Sequence, residues 1–257
     1  MTDTKKVLSF AVELGDILLR NGAEVYRVED TVLGILNSYD ITDCDVYVLS
    51  NGIFASADET TVHASSMIRH VPMYPMHLSR IAALNGLSRE VCSKSISIDD
   101  AWTKLLEYKK IPTYPLPVLA IATGIGCGGF AYLYGGTPLD ACMAIIVGFI
   151  LRLFLHVEAK MGNSKTITNV LGSVLISLLS ISIYATGVPV HYDKIIIGAI
   201  MPLVPGIPIT NGIRDFINSD YLSGSIRVID ALLTAFCIAV GVGIVITIAH
   251  LITGGTI

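Results

Sequence analysis

Between Thr4 and Arg20 the apolar residues Val7, Leu8, Ala11, Leu14 and Leu18 recur at the spacing of one helical face, and Asn21-Gly22 supplies a stop. From Glu24 to Tyr39 the pattern repeats, with Val25, Val28, Val32, Leu33, Ile35 and Leu36 on one side and Glu24, Arg27, Glu29 and Asp30 on the other. Together these segments predict a helical hairpin with one apolar face. The period then shortens. Cys44 to Ser50, Ile53 to Ala57 and Thr60 to Arg69 are rich in β-branched and aromatic residues and are separated by Asn51-Gly52 and Asp58-Glu59, which predicts a small antiparallel sheet. After a break at Pro72 to Pro75, helical spacing returns over Leu78 to Glu90 and Ile98 to Lys109, the latter with Asp99 and Asp100 in its first turn and Lys109 in its last. Residues 1–111 thus read as a soluble α+β domain of helices layered on a sheet.

Past Ile111 the pattern changes character. Pro112, Pro115 and Pro117 lead into long uncharged stretches, each able to cross a hydrocarbon core of roughly 30 Å. Spans are expected near 117–134, 138–157, 167–190, 195–211 and 228–252, so residues 112–257 read as a transmembrane domain. The fold class expected is a multi-pass α-helical membrane protein of about five transmembrane helices behind an N-terminal soluble α+β domain. Lys104, Lys109, Lys110, Lys160, Lys165, Arg214 and Arg227 flank the spans on one side and Lys194 on the other, which predicts a cytoplasmic N-terminus and an external C-terminus.

Composition narrows the function classes. With 53% hydrophobic and 15% charged residues the chain lies outside the range of a water-soluble globular domain. Its net charge of -4 offers no broad basic surface for nucleic acid. Cys44, Cys92, Cys127, Cys142 and Cys237 form no CxxC pair, so neither a disulfide framework nor a zinc site is expected. The N-terminal stretch lacks a continuous apolar region before Glu13, so no cleavable signal peptide is expected.

The segment Met201 to Gly224 holds the most chemistry. Pro202, Pro205, Gly206 and Pro208 cannot all sit in an unbroken helix, so the fourth span must unwind, with Pro205-Gly206 near the bilayer centre. Freed N–H groups at a restarted helix, with Thr210 and Asn211, would suit a carboxylate. An ordinary proline kink with its carbonyls satisfied by a neighbouring helix is the other reading. Arg214, Asp215 and Asn218 follow at helical spacing, where they would gate or steer an anionic solute, relay a proton, or form an interfacial ion pair. Asp140, Arg152, His156 and Asp230 are further ionisable groups in or near spans; Asp230 stands with Arg214 and Asp215 as a gating or proton-relay candidate, and helix-end anchoring is the alternative for each. On the third span Asn169, Ser173, Ser177 and Ser180 make a polar stripe; Ser173 and Ser177 are candidate solute contacts, and helix packing explains the stripe equally. The run Gly124 to Gly129 resembles a dinucleotide fingerprint but has no strand before it, so close helix contact is expected there. His63, His70 and His77 cross a strand and a proline break and need not converge on a metal. GxSxG, P-loop and HExxH signatures are absent, so no enzyme activity, metal or cofactor is expected.

Two stretches closely resemble the threonine/serine exporter family: Leu19-Arg-Asn-Gly-Ala-Glu-Val-Tyr-Arg-Val-Glu29, and Val204-Pro-Gly-Ile-Pro-Ile-Thr-Asn-Gly-Ile-Arg-Asp215 followed by Asp220-Tyr-Leu-Ser-Gly224. Leu84-Asn-Gly-Leu-Ser-Arg89 is similar to the family as well, and the resemblance covers essentially the whole chain. It implies a bacterial inner-membrane secondary exporter of small amino acids or of a dicarboxylate such as succinate. The family pattern falls on Gly22, Ala23, Glu24, Arg27, Val28 and Glu29, and on Pro205, Gly206, Thr210, Asn211, Arg214 and Asp215. Single-chain members look like about ten spans in two parts, whereas about five are read here. The resemblance therefore implies a second small multi-pass membrane subunit as partner, or a homo-oligomer. A membrane-anchored regulatory or scaffold protein is the alternative function.

Overall fold

In the computed structural model the first helix, α1 (Thr4–Arg20), stops where Gly22 turns into the left-handed region at φ 90°. The Gly22 N–H donates to Leu19 O at 3.0 Å and the Ala23 N–H to Leu18 O at 3.1 Å, the paired bonds of a Schellman ending. A side chain at position 22 would be strained by that φ and would press on Met76 as well. The chain therefore reverses at once into α2 (Val25–Ser38), and the two apolar stripes meet: Leu8, Ala11, Leu14, Val28, Val32, Ile35 and Leu36 are fully buried.

β1 (Cys44–Leu49), β2 (Gly52–Thr60) and β3 (His63–His70) form an antiparallel sheet in the order β1-β2-β3. Val48 faces Ile53 and Leu49 faces Gly52 across a tight connection through Ser50 and Asn51. The alternation of the strands sends Val48, Ile53, Ala55 and Ala57 into the helices and leaves Tyr47, Phe54 and Ile68 exposed on the other face. α3 (Leu78–Cys92) and α4 (Ile98–Lys109) complete this core through Leu84, Leu87, Val91, Ala101 and Leu105. Ser97 caps α4, its side chain accepting from Asp100 N, and the His77 ring caps α3 by accepting from Arg80 N.

The structure describes residues 4–60, 63–72 and 76–253. Part of the expected third strand, the His63 side chain, and the proline break beyond Pro72 lie outside the described residues.

The chain divides into two compact units, and the division is discontinuous. One unit takes residues 1–113 together with 209–228; the other takes 114–208 and 229–257. The second unit carries α5 (Leu116–Leu133), α6 (Pro138–Met161), α7 (Lys165–Ala185), α8 (Tyr192–Ile200) and most of α10 (Tyr221–Thr253). Among the described residues four helices, α5, α6, α7 and α10, are long and apolar enough to cross a membrane. The fourth expected span, 195–211, is instead two short helices, because α8 ends at Ile200 and α9 (Gly206–Ile217) begins only after Pro202 and Pro205, with Pro208 in its first turn. α10 also starts seven residues ahead of the expected 228, at Tyr221, with Asp220 as its leading cap.

Small residues set the packing of these helices. Gly124 and Gly128 on α5 lie so close to α6 that an added Cβ would stand 2.7 Å from Ile145 O and 2.8 Å from Ala141 O. Gly124 and Gly128 of the glycine run thus serve a close helix contact, while Gly126 and Gly129 meet nothing within 4 Å. Outward-facing Ile121, Ile125, Leu133, Leu232, Leu233 and Phe236 are all exposed, the arrangement a lipid solvent favours and water does not.

Candidate functional site

The sequence places two features in the segment 201–224, and the structure gives each its own surroundings. The first is the interruption between α8 and α9. Leu203 N–H donates to Ile200 O at 2.8 Å and Val204 N–H to Met201 O at 3.2 Å, so the backbone closes in tight turns rather than continuing an α-helix. Gly206 then starts α9, and nothing stands within 4 Å of the place its Cβ would occupy. Thr210 and Asn211 follow on the first turns of the new helix. Pro205 lines a groove of about 600 Å³ with Tyr192, Ile196 and Ile200 of α8 and Ala239 and Val242 of α10. That groove is largely apolar, and Tyr192 and Asp193 are the polar side chains in its lining among the described residues.

The serine stripe of α7 has a different setting. Ser173 donates to Val170 O at 2.9 Å and Ser177 to Ser173 O at 2.9 Å, so both buried hydroxyls are spent on their own helix. Ser173 also packs against Gly241 of α10, where an added Cβ would meet Val170 O at 2.7 Å. Asp230 pairs with Lys165, Oδ2 to Nζ at 2.6 Å, with the lysine more than half exposed. Asp140 is fully buried but fully used. It closes a capping box with Thr137 at the start of α6 and accepts the His191 N–H at 2.7 Å, with the His191 ring 3.0 Å away.

The second feature is a cluster of charges inside the first unit, where the two stretches singled out in the sequence meet. Glu24 is the residue before α2, yet its carboxylate makes no cap hydrogen bond. It pairs instead with Arg27 Nε at 2.9 Å and with Arg214 of α9. Asp215, next along α9, is 2% exposed and faces Arg227 of α10, 7% exposed, with Oδ2 to Nε at 3.4 Å. Arg227 also reaches back to Ala23 O at 3.4 Å, and Ser223 Oγ accepts the Ser50 N–H from the β1–β2 turn at 3.1 Å. Gly212 and Gly224 let α9 and α10 approach closely enough to hold this arrangement, since a Cβ on Gly224 would stand 2.9 Å from Gly212 O.

α9 ends at Ile217, and Ser219, a non-glycine residue at φ 66°, turns the chain, with the Asp220 N–H donating to Asp215 O at 2.9 Å. Asp220 then leads α10, its Oδ1 accepting the Ser223 N–H at 3.2 Å. Beside this turn lies a cavity of about 420 Å³ bounded by α2, β1 and the α9–α10 corner, with Glu29, Asp215 and Asp220 in its wall. Burial first, and then the charges of Asp30 and Asp220, hold the Glu29 carboxyl above its ordinary value against a hydrogen bond from the Val48 backbone.

Arg227, Ser223 and Ser50 were not distinguished as site residues by sequence; Arg227 registered only as a flanking charge. The signal was present in its position, a lone arginine inside a long apolar helix three residues after Ser223-Gly224. No group of His, Cys, Asp or Glu among the described residues converges to hold a metal ion.

A family model described as threonine/serine exporter, ThrE, matches residues 9–249. The chain is 26% identical over 242 residues to a protein named probable threonine/serine exporter from Mycobacterium tuberculosis, a match covering 93% of this chain and 45% of that protein. It is 24% identical over 241 residues to pheromone-regulated membrane protein 10 of Yarrowia lipolytica, covering 91% of this chain and 20% of that one. The chain therefore spans less than half the length of these curated relatives. No solved structure matches it.

Proposed function

Because the chain belongs to the threonine/serine exporter family, we propose that it exports a small hydrophilic solute, threonine or serine, across the bacterial inner membrane, with its N-terminal α+β part in the cytoplasm and its C-terminus outside. The observation that carries the reading is the interruption of the apolar chain between Ile200 and Gly206. An anchor has no reason to give up helical hydrogen bonds there, whereas a restarted helix presents its positive end to a carboxylate. The solute is held by Pro205, Gly206, Thr210 and Asn211. Arg214 and Asp215 govern its passage through their ties to Glu24 and Arg227. Ser173, Ser177 and Asp230 have the weaker claim to solute or proton, since their polar atoms are engaged by their own helix or by Lys165.

The same proposal includes a partner, a second small multi-pass membrane subunit or another copy of the chain. The test is export of labelled threonine, serine and succinate from cells expressing the chain with and without a candidate small subunit. Gly206→Ala, which meets open space, and Asn211→Ala are expected to keep membrane abundance and lose at least three-quarters of export. Undiminished export in both variants would remove the break from the solute path. No export of any solute in either setting would favour a scaffold whose N-terminal part binds a partner.

A further inference from the structure

The polar stripe of α7 contains one group that its own helix does not use. Ser173, Ser177 and Ser180 each donate to a carbonyl of α7, whereas Asn169, 7% exposed, buries its Nδ2 with no hydrogen-bond partner among the described residues. Burying an amide in this way is costly unless something supplies the missing acceptor, and a polar group kept at that cost in an apolar helix points to a function. Its place follows from three contacts. The rings of Tyr184 and Tyr192 meet at 5.4 Å where α7 ends and α8 begins, and a Cβ on Gly172 would stand 3.3 Å from Leu203 of the interruption. Going back along α7 thus matches going forward from Tyr192 almost residue for residue. One turn before Gly172, Asn169 is therefore level with Gly206, where α9 begins. On its other side α7 meets α10, through Val170 and Ser173 at Gly241. With about 3.6 residues per turn, Asn169 projects between that contact and the Leu203 contact. Nothing stands within 4 Å of the place a Gly206 Cβ would occupy, and all of these residues belong to the second unit.

We infer that Asn169 is a solute-binding residue, whose amide donates to the carboxylate of a small solute seated at the start of α9. The inference rests on the export reading of the interruption and adds the side chain that answers the helix from α7. The positive end of α9 attracts a carboxylate, and an amide N–H on the opposite side fixes how that carboxylate is turned. A hydrogen bond to a charged acceptor of this kind changes affinity by about tenfold or more. A neutral amide also suits a site that has to empty, because burying it without solute costs less than burying a lysine ammonium. The class of ligand is thus any small carboxylate, which threonine, serine and succinate all are, and an amine lacking the carboxylate is outside it.

The test measures equilibrium binding of labelled L-threonine, L-serine and succinate to the purified chain in detergent, with L-threoninamide and succinamide as probes that lack the carboxylate. The parent is expected to bind at least one of the carboxylates about tenfold or more tightly than its amide. Asn169→Leu, close in size, should weaken that carboxylate by about tenfold or more, yet unfold at the parent's temperature or above it, because it removes a buried polar group that the chain leaves unpaired. A merely structural amide gives the reverse. A lower unfolding midpoint in Asn169→Leu, or a variant that does not fold, would therefore overturn the inference. Asn169→Asp, which trades the N–H donors for a second carboxylate, should weaken binding at least as much, and Ser180→Ala, whose hydroxyl is spent on Ile176 O, should leave it unchanged. Unchanged binding in Asn169→Leu and Asn169→Asp beside impaired binding in Gly206→Ala would overturn the role of Asn169 and leave the export reading standing. A parent that binds none of the carboxylates, or binds the amides equally well, would overturn both.

Discussion

Asp215 and Arg227 face each other at 3.4 Å, one on α9 and one on α10, with both side chains more than nine-tenths buried. Neither ion has water to fall back on, so removing one strands the other. Asp215→Ala should cost about 3–5 kcal/mol of stability, whereas the double replacement Asp215→Leu with Arg227→Met should recover most of it. Thermal unfolding of the purified chain with a far-ultraviolet readout would decide. A single variant as stable as the parent would mean that the pair is solvated.

The crossing of α7 and α10 allows a sharper test of packing. Gly241 accepts no side chain without displacing Ser173 or the Val170 carbonyl. Gly241→Ala should therefore lower stability by about 1–3 kcal/mol. Adding Ser173→Gly should restore only part of that loss, because it removes the hydroxyl that the new methyl strikes but leaves the Val170 carbonyl at 2.7 Å. Unfolding midpoints of the three proteins, compared in one detergent, are the measurement.

The reach of the sequence can be judged from these two contacts. Val7 to Leu18 and Val25 to Leu36 announced their helices, because a face buried every three to four residues leaves a local imprint. Helix α4 begins and ends where Asp99, Asp100 and Lys109 said it should, since end effects are also local. The interruption at Pro202 and Pro205 was equally legible, because a missing N–H cannot be hidden by distant partners. What pairing would follow was not. Glu24 finding Arg214, or Ser50 finding Ser223, depends on chain closure over most of the sequence, and no local period encodes it. The serine stripe on α7 showed the opposite ambiguity: a polar face announces that something lies opposite, and only the fold reveals it to be Gly241.

Glu29 makes the stability of the chain depend on pH in a defined direction. Burial, with Asp30 and Asp220 nearby, raises its folded value above the ordinary 4.5, while the Val48 N–H opposes the shift. The folded state thus holds the proton more tightly, so the stability Glu29 contributes is complete below pH of about 4.5 and declines as pH rises through the folded value. Asp215, Tyr26 and Tyr47 also face it across the cavity. Glu29→Gln should match the parent near pH 4 and exceed it increasingly toward pH 7. A constant offset across that range, followed by unfolding midpoints, would show that Glu29 titrates as it does in water.

The discontinuity of the first unit sets an order of assembly. Residues 209–228 supply Arg214 to Glu24, Ser223 to the Ser50 amide and Arg227 to the Ala23 carbonyl, yet they are synthesised only after α5 to α8. The N-terminal part consequently waits, with Glu24 and the β1–β2 turn uncovered, until most of the apolar helices have been synthesised. Its last seam closes only once residue 228 has been made, and a fragment that stops at residue 113 never closes it.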